Sequence, residues 1–270
     1  MSIPNLFDIS GKVAIITGSA SGLGLSIAEA MAENGARIAL FDLNQDGLEE
    51  AADRLKKTGA DVLMKTVDVS DRDQMRRSVD SVADEFGGLD IVFGNAGIGG
   101  GPGFIGFDGS RNAAGEIDSI SNEQWDRVLA VNLSSVFITI QSSAFHMKKK
   151  RAGRIIITTS VASFRNQSWV GTPYMPAKAG AAHLVRQAAL ELAHYNITVN
   201  AIAPGAFATN IGGGRLKSEH ISQVMSKRIP LGRVANPNEI KGLALFLASP
   251  ASDFITGAEI PIDGGASLGA

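Results

Sequence analysis

Short apolar runs alternate along the chain with longer stretches in which apolar residues recur at helical spacing. The short runs, Val13–Thr17, Arg37–Phe41, Asp61–Val67, Ile91–Phe93, Arg154–Thr159, Thr198–Ala203 and Glu259–Ile262, read as strands. Several are apolar at every position, the pattern of strands covered on both faces. The longer stretches, 22–34, 45–58, 71–86, 122–149, 174–195 and 237–248, read as helices. Asp71 after Ser70, and Asn238 and Glu239 after Pro237, mark helix starts. This alternation predicts an α/β fold: a doubly wound parallel sheet with helices on both faces. Residues 1–270 read as a single domain, without an internal repeat or a Pro/Ser-rich linker.

Two segments break the rhythm. Residues 97–115 are glycine-rich and aperiodic, with an apolar tip at Phe104, Ile105 and Phe107. Residues 205–232 contain Gly212-Gly213-Gly214 and a short helical stretch. Long loops inside a compact domain are frequently functional. Both segments are expected to be mobile covers over a substrate site, the first leaving the carboxyl edge of the sheet, where this architecture binds ligands.

Composition narrows the chemistry. At 270 residues and 44% hydrophobic, the chain can bury a substantial core. Its net charge is −2, and the one basic cluster, Lys148 to Arg151, falls at a helix end where cations complement the dipole. No nucleic-acid partner is expected. The absence of cysteine excludes disulfides, thiolate metal sites and cysteine nucleophiles. The histidines show no metal-ligand spacing, so no metal is expected. The opening residues do not read as a leader, and no uninterrupted apolar run reaches spanning length. A soluble, cytoplasmic protein without membrane contact is the expectation.

The first strand runs into Thr17-Gly-Ser-Ala-Ser-Gly-Leu-Gly24, and a helix follows. Gly18, Gly22 and Gly24, with Ser21 and Leu23 between them, suit a tight turn that brings backbone close to a phosphate at the helix N-terminus. The second strand ends at Asp42, followed by Leu43. Its spacing from the glycines matches the acid that holds an adenosine ribose through its hydroxyls. A carboxylate there repels a 2′-phosphate, and Ser19, Ala20, Ser21 and Leu43 supply no compensating positive charge. The expected cofactor is therefore NAD rather than NADP.

Tyr174 and Lys178 lie one helical turn apart, on one face of a helix. An ammonium beside a phenol favours the phenolate. Free tyrosine titrates at about 10, so a base working near neutrality needs roughly 4 kcal/mol of differential stabilisation. One lysine rarely supplies all of it. The expectation is a tyrosine pKa well below the ordinary value, reached with help from further positive charge.

The ordered set Thr17-Gly18-x-x-x-Gly22-x-Gly24, Asp68-Val69, Asn95-Ala96-Gly97, Asn132, Ser160, Tyr174-x-x-x-Lys178, Pro204-Gly205 and Asp263-Gly264-Gly265 resembles the short-chain dehydrogenase/reductase family over nearly the whole chain. The resemblance implies a Rossmann-type domain and a catalytic tetrad of Asn132, Ser160, Tyr174 and Lys178. It implies that Asp68 and Val69 contact adenine and that Asn95, Ala96 and Gly97 line the cofactor's path. Phe207 and Thr209, after Pro204 and Gly205, would hold the nicotinamide carboxamide.

In such a tetrad Tyr174 is the acid/base for a substrate hydroxyl, and Ser160 donates to the developing alkoxide or carbonyl oxygen. The Asn132 amide would hold a water that links Lys178 to solvent. Between Ser160 and Tyr174, residues Arg165, Asn166, Gln167 and Trp169 are candidates to recognise a polar or anionic group. The segment between Asn95 and Asn132 is longer than is common in the family.

The implied partner is a small-molecule alcohol or ketone: a polyol, a sugar or a cyclic alcohol. A 3-oxoacyl-thioester reductase and a non-catalytic NAD-binding sensor or scaffold remain as alternatives. The small residues of the 174–195 helix, together with the resemblance, imply a homotetramer. In that assembly 122–149 and 174–195 pair across one axis and 263–270 pack at another.

Overall fold

The computed structural model describes residues 3–268. Seven parallel strands form one sheet in the order β3-β2-β1-β4-β5-β6-β7. They are β1 (Val13–Thr17), β2 (Arg37–Asp42), β3 (Val62–Thr66), β4 (Ile91–Gly94), β5 (Gly153–Thr158), β6 (Ile197–Pro204) and β7 (Glu259–Ile262). The helices are α1 (Ile3–Leu6), α2 (Gly22–Glu33), α3 (Gln45–Lys56), α4 (Arg72–Phe86), α5 (Asn122–Leu129), α6 (Ser135–Lys150), α7 (Tyr174–Leu192), α8 (Glu219–Ser226) and α9 (Lys241–Ala248). Strand order reverses between β1 and β4, leaving a crevice at their carboxyl ends, the place where this topology takes ligands.

The period-two alternation of side chains sends each strand's apolar residues to two cores. Val13 and Ile15 of β1 join Val79 of α4, Ile138 of α6 and Val185 of α7 on one face. Ala14 and Ile16 join Ile27 of α2, Leu48 of α3 and Leu247 of α9 on the other. This explains why β1, fully buried, is apolar throughout. Helix starts follow local chemistry: the Asp71 carboxylate accepts from the Asp73 and Gln74 N–H groups, and Asn236 forms a capping box with Glu239.

Helical stretch 122–149 is not one regular helix. A π turn, Ala130–Ser134, joins α5 to α6. By length and composition the whole run Asn122–Lys150 is apolar enough to cross a membrane, which the sequence reading did not anticipate. Of its most apolar part, 56% is buried inside the fold, and that burial accounts for its apolar character. The basic cluster is engaged within the chain: Lys150 donates to Asp90 at 2.5 Å, and Lys148 to Glu191 at 3.3 Å.

The loop 97–115 is tied to the segment that precedes α7: Ile105 N–H donates to the Ser168 carbonyl at 3.0 Å, and Gly171 N–H to the Gly101 carbonyl at 3.2 Å. Gln124 Nε2 donates to the Gly100 carbonyl at 2.7 Å. Its glycines mark close backbone approach. A Cβ added at Gly103 would land on the Ser168 carbonyl oxygen, and one at Gly171 on that of Gly100. Composition alone cannot tell a flexible glycine from a packing glycine.

Gly171→Ala should therefore lower stability by about 1–3 kcal/mol, the usual cost of overpacking. Gly242→Ala, in α9 with nothing within 4 Å of the new Cβ, should raise stability by up to about 1 kcal/mol through helix propensity. Urea denaturation of both variants checks the opposite signs.

Candidate active site

The site begins at the junction of β1 and β4. The Thr17 hydroxyl accepts from the N–H groups of Asn95 and Ala96, at 2.9 Å each. Asn95 returns the contact: its Nδ2 donates to the Thr17 carbonyl at 3.1 Å and the Gly18 carbonyl at 3.3 Å. Its Oδ1 accepts from the Thr158 hydroxyl at 3.1 Å, tying in the end of β5. Gly18 fits because a Cβ would press to 2.9 Å on Ala96 Cα. Gly24 is buried, and an added Cβ would meet the Gly18 carbonyl, so its role is to let α2 approach β1.

These elements frame a cleft of about 610 Å³ along the sheet edge. Every cofactor position expected from the sequence lines it except Gly24. That places Gly18, Ser21, Gly22 and Leu23 at one end, and Asp42, Leu43, Asp68 and Val69 beside them. Pro204, Gly205, Phe207 and Thr209 lie across from Asn95, Ala96 and Gly97. Ile98, Arg127, Thr158 and Asn210 also line the cleft and were not singled out from sequence. Ile98, adjoining Asn95-Ala96-Gly97, was within reach of that motif. Arg127 carried no local signal.

The cleft fits a dinucleotide. Ser21, at the N-cap of α2, makes no side-chain cap bond, and the first turn holds no acidic residue. Its amides are left for an external anion. The Asp42 carboxylate is held at the cleft wall by the N–H groups of Ala20 at 3.0 Å and Asn44 at 3.1 Å. Asp68 accepts from the Ser70 N–H at 2.8 Å and its hydroxyl at 2.6 Å, which leaves neighbouring Val69 as an apolar wall.

Tyr174 opens α7, and Lys178 follows one turn later. Lys178 Nζ donates to the Thr158 carbonyl at 2.8 Å and lies 5.6 Å from the Tyr174 ring centroid. The Ser160 hydroxyl accepts from the Ala162 N–H at 3.1 Å and lines the cleft together with Tyr174. Asn132 is fully buried in the π turn. Its Oδ1 accepts from the Ile98 N–H at 3.1 Å and its Nδ2 donates to the Ile98 carbonyl at 3.0 Å. This amide clamps the Ile98 backbone, which positions the floor of the cleft. A Cβ at Gly97 would meet Asn132 Oδ1 at 2.9 Å and Lys178 Nζ at 3.6 Å, so that position needs glycine.

Electrostatics reverse one expectation. Burial pushes the Tyr174 phenol up to about 12, with the Ser160 hydrogen bond pulling the other way. Burial brings Lys178 down to about 8. Desolvation dominates at both groups, and Lys178 Nζ is engaged by the Thr158 carbonyl.

A second cavity, of about 480 Å³, adjoins the cleft. Ser160, Tyr174 and Gly205 line both, so the reacting phenol stands in a shared wall. Of the residues between Ser160 and Tyr174, Arg165, Gln167 and Trp169 line this cavity and Asn166 does not. Phe107 of the 97–115 loop lines it, whereas Phe104 and Ile105 do not. Arg215 and Arg228, from 205–232, also line it and had no sequence signal of their own. Among the described residues no cluster could hold a metal ion.

The glycine-bounded cleft and the second cavity thus share a wall that holds the tyrosine and the serine. The sequence pattern of the family described as enoyl-(acyl carrier protein) reductase matches residues 18–267. The 5-keto-D-gluconate 5-reductase of Escherichia coli (strain K12) is 32% identical over 261 residues, covering 97% of each chain. A 3-oxoacyl-(acyl-carrier-protein) reductase of Chlamydia muridarum is 35% identical over 255 residues, covering 94% of this chain and 96% of the relative. A crystal structure of a gluconate 5-dehydrogenase from Burkholderia cenocepacia, in complex with NADP and tartrate, superposes with a TM-score of 0.88 at 32% identity. It covers 98% of this chain and 99% of its own. The chain belongs to the short-chain dehydrogenase/reductase family.

The reversed tyrosine shift is measurable. The chain holds only two tyrosines, Tyr174 and Tyr195. Ultraviolet titration of the cofactor-free protein should show one phenol ionising near 12, and Tyr174→Phe should remove that transition. A Tyr174 transition below 10 would refute the burial argument.

Proposed function

We propose that this protein catalyses the reversible, NAD-dependent oxidation of a secondary alcohol to its ketone. The observation that carries this reading is the shared wall: Tyr174 and Ser160 face both the dinucleotide cleft and the adjoining cavity. A substrate in the cavity meets the phenol and the serine hydroxyl together. The bound cofactor supplies the hydride acceptor for oxidation and, in its oxidised form, a positive charge in the cleft.

Tyr174 takes the substrate's hydroxyl proton in oxidation and returns it in reduction. Ser160 donates to the same oxygen as charge develops there. Lys178, anchored on Thr158, holds positive charge behind the phenol. Asn132 acts through Ile98 and is a positioning residue. The phenol's high pKa in the protein alone suits it to donate. Its service as a base rests on the positive charge that the cofactor brings, so the Tyr174 transition should fall when NAD saturates the protein.

Asp42 supports NAD. Its two oxygens are fixed toward the cleft by backbone amides, and a 2′-phosphate beside them would face an unneutralised carboxylate. The Burkholderia relative holds NADP, so the cofactor choice is argued from Asp42 alone. That same residue weighs against a 3-oxoacyl-thioester reductase, and the filled tetrad weighs against a non-catalytic sensor. We extend the reading to a homotetramer: Phe137 and Phe145 on α6 and Leu190 on α7 are 45%, 59% and 77% exposed, as unpaired interface residues would be. Light scattering reports the mass. Of segment 263–270, the second proposed contact, residues 269–270 lie outside the described residues. We further propose that 97–115 and 205–232 cover the cavity and act as substrate lids, the first moving as a strapped unit.

Steady-state kinetics with both cofactors tests the reading. NAD should give at least tenfold higher kcat/KM than NADP, and Asp42→Ala should narrow that ratio. Tyr174→Phe should lower turnover at least a hundredfold while NAD binding survives, consistent with the usual size of acid–base catalysis. Equal use of both cofactors by the unaltered protein, or a Tyr174→Phe variant retaining a tenth of the activity, would overturn it.

A further inference from the structure

The cavity beyond Tyr174 has an unusual balance of groups. Its body is apolar: Phe107, Val161, Trp169, Ile211, Met225 and Ile229 all line it. Its charged residues are Arg165, Arg215, Lys227 and Arg228, all cationic. No aspartate or glutamate is among the described lining residues, and none of these four cations forms an ion pair with a described carboxylate.

Two of the arginines are placed by aromatic faces instead. The Arg228 guanidinium lies 4.6 Å from the Trp169 ring centroid, and that of Arg215 lies 5.3 Å from the Phe107 centroid. Stacking on a ring positions a guanidinium without neutralising it and leaves its N–H edge free. Arg215 uses one N–H on the Gly212 carbonyl, at 2.9 Å. Arg165 donates to the Ala266 carbonyl. The N–H groups that remain have no anionic partner among the described residues.

We propose that the physiological substrate is a hydroxy acid or keto acid with an apolar, ring-sized body, its carboxylate bound by Arg215 and Arg228. This rests on the alcohol–ketone reading above and narrows its substrate class. The geometry disfavours a polyhydroxylated chain. Buried hydroxyls need side-chain or backbone partners. Apart from Ser160 and Tyr174, which serve the reacting oxygen, the neutral hydrogen-bonding side chains among the described lining residues are Gln167 and the donor-only indole of Trp169. An apolar ring fits the aromatic and aliphatic walls, and a planar fork of N–H donors fits a carboxylate.

The test uses unreactive probes and calorimetry on the full chain saturated with NAD. Cyclohexanecarboxylate should bind at least tenfold more tightly than its uncharged isostere cyclohexanecarboxamide, and at least tenfold more tightly than gluconate. The carboxylate-to-amide ratio should fall severalfold in Arg228→Gln and in Arg215→Gln, and approach one in the double variant. Arg228→Lys should recover part of it. Equal binding of the carboxylate and the amide by the unaltered protein, a measurement that needs no variant, would overturn the proposal. So would tighter binding of gluconate, or an unchanged ratio in the folded double variant.

A separate screen of neutral and acidic alcohols for NAD reduction keeps the two readings apart. Oxidation of neutral alcohols with no carboxylate preference in binding sinks this proposal alone. Carboxylate preference with no alcohol oxidised sinks the catalytic reading and leaves the anion site standing.

Discussion

The hydroxyl of Thr17 is the point from which the rest of the site is built. It sits at the last residue of β1, where strand order reverses, and accepts two backbone N–H groups from the loop after β4. With the Asn95 amide returning bonds to β1 and taking one from β5, three parallel strands are locked in register at their carboxyl ends. Open α/β sheets leave a crevice at such a reversal. Here the crevice has fixed walls because its polar groups satisfy one another across the gap. The cofactor cleft, the placing of Gly97 under Lys178 and the Asn132 clamp on Ile98 all follow from it.

The sheet and the dinucleotide end were legible in the sequence because they depend on local rules. Apolar runs predict buried strands, glycines after β1 predict close approach, and the acid at the end of β2 lines the cleft. The lining of the second cavity was not legible. Phe107, Trp169, Arg215 and Arg228 come from separate irregular segments, and nothing in their spacing announces that they meet. The same limit applied to the glycines of 97–115, whose purpose depends on the irregular segment around 168–171, far along the chain. The Asn132 clamp was not legible, because Ile98 had to be brought to it by the fold.

Burial explains the electrostatic reversal. Tyr174 and Lys178 were read as a pair in which charge lowers a phenol's pKa. Inside the fold both groups are desolvated, and each is driven toward its neutral form. The pair therefore differs from an exposed tyrosine and lysine because of where the fold buries it, and not because of its spacing along α7.

The π turn at Ala130–Ser134 carries a constraint of another kind. A π turn is, in effect, one residue added to a helix. Each residue turns an α-helix by roughly 100°, so the extra one sets the rotational phase of everything upstream in α5 relative to α6. The face of α5 that carries Gln124 to the Gly100 carbonyl, and Arg127 to the cleft, is aimed by that single added residue. In this chain the direction in which a whole helix looks is set at one peptide step, and insertions or deletions there would act as a rotary dial on the edge of the site rather than as a change in its length.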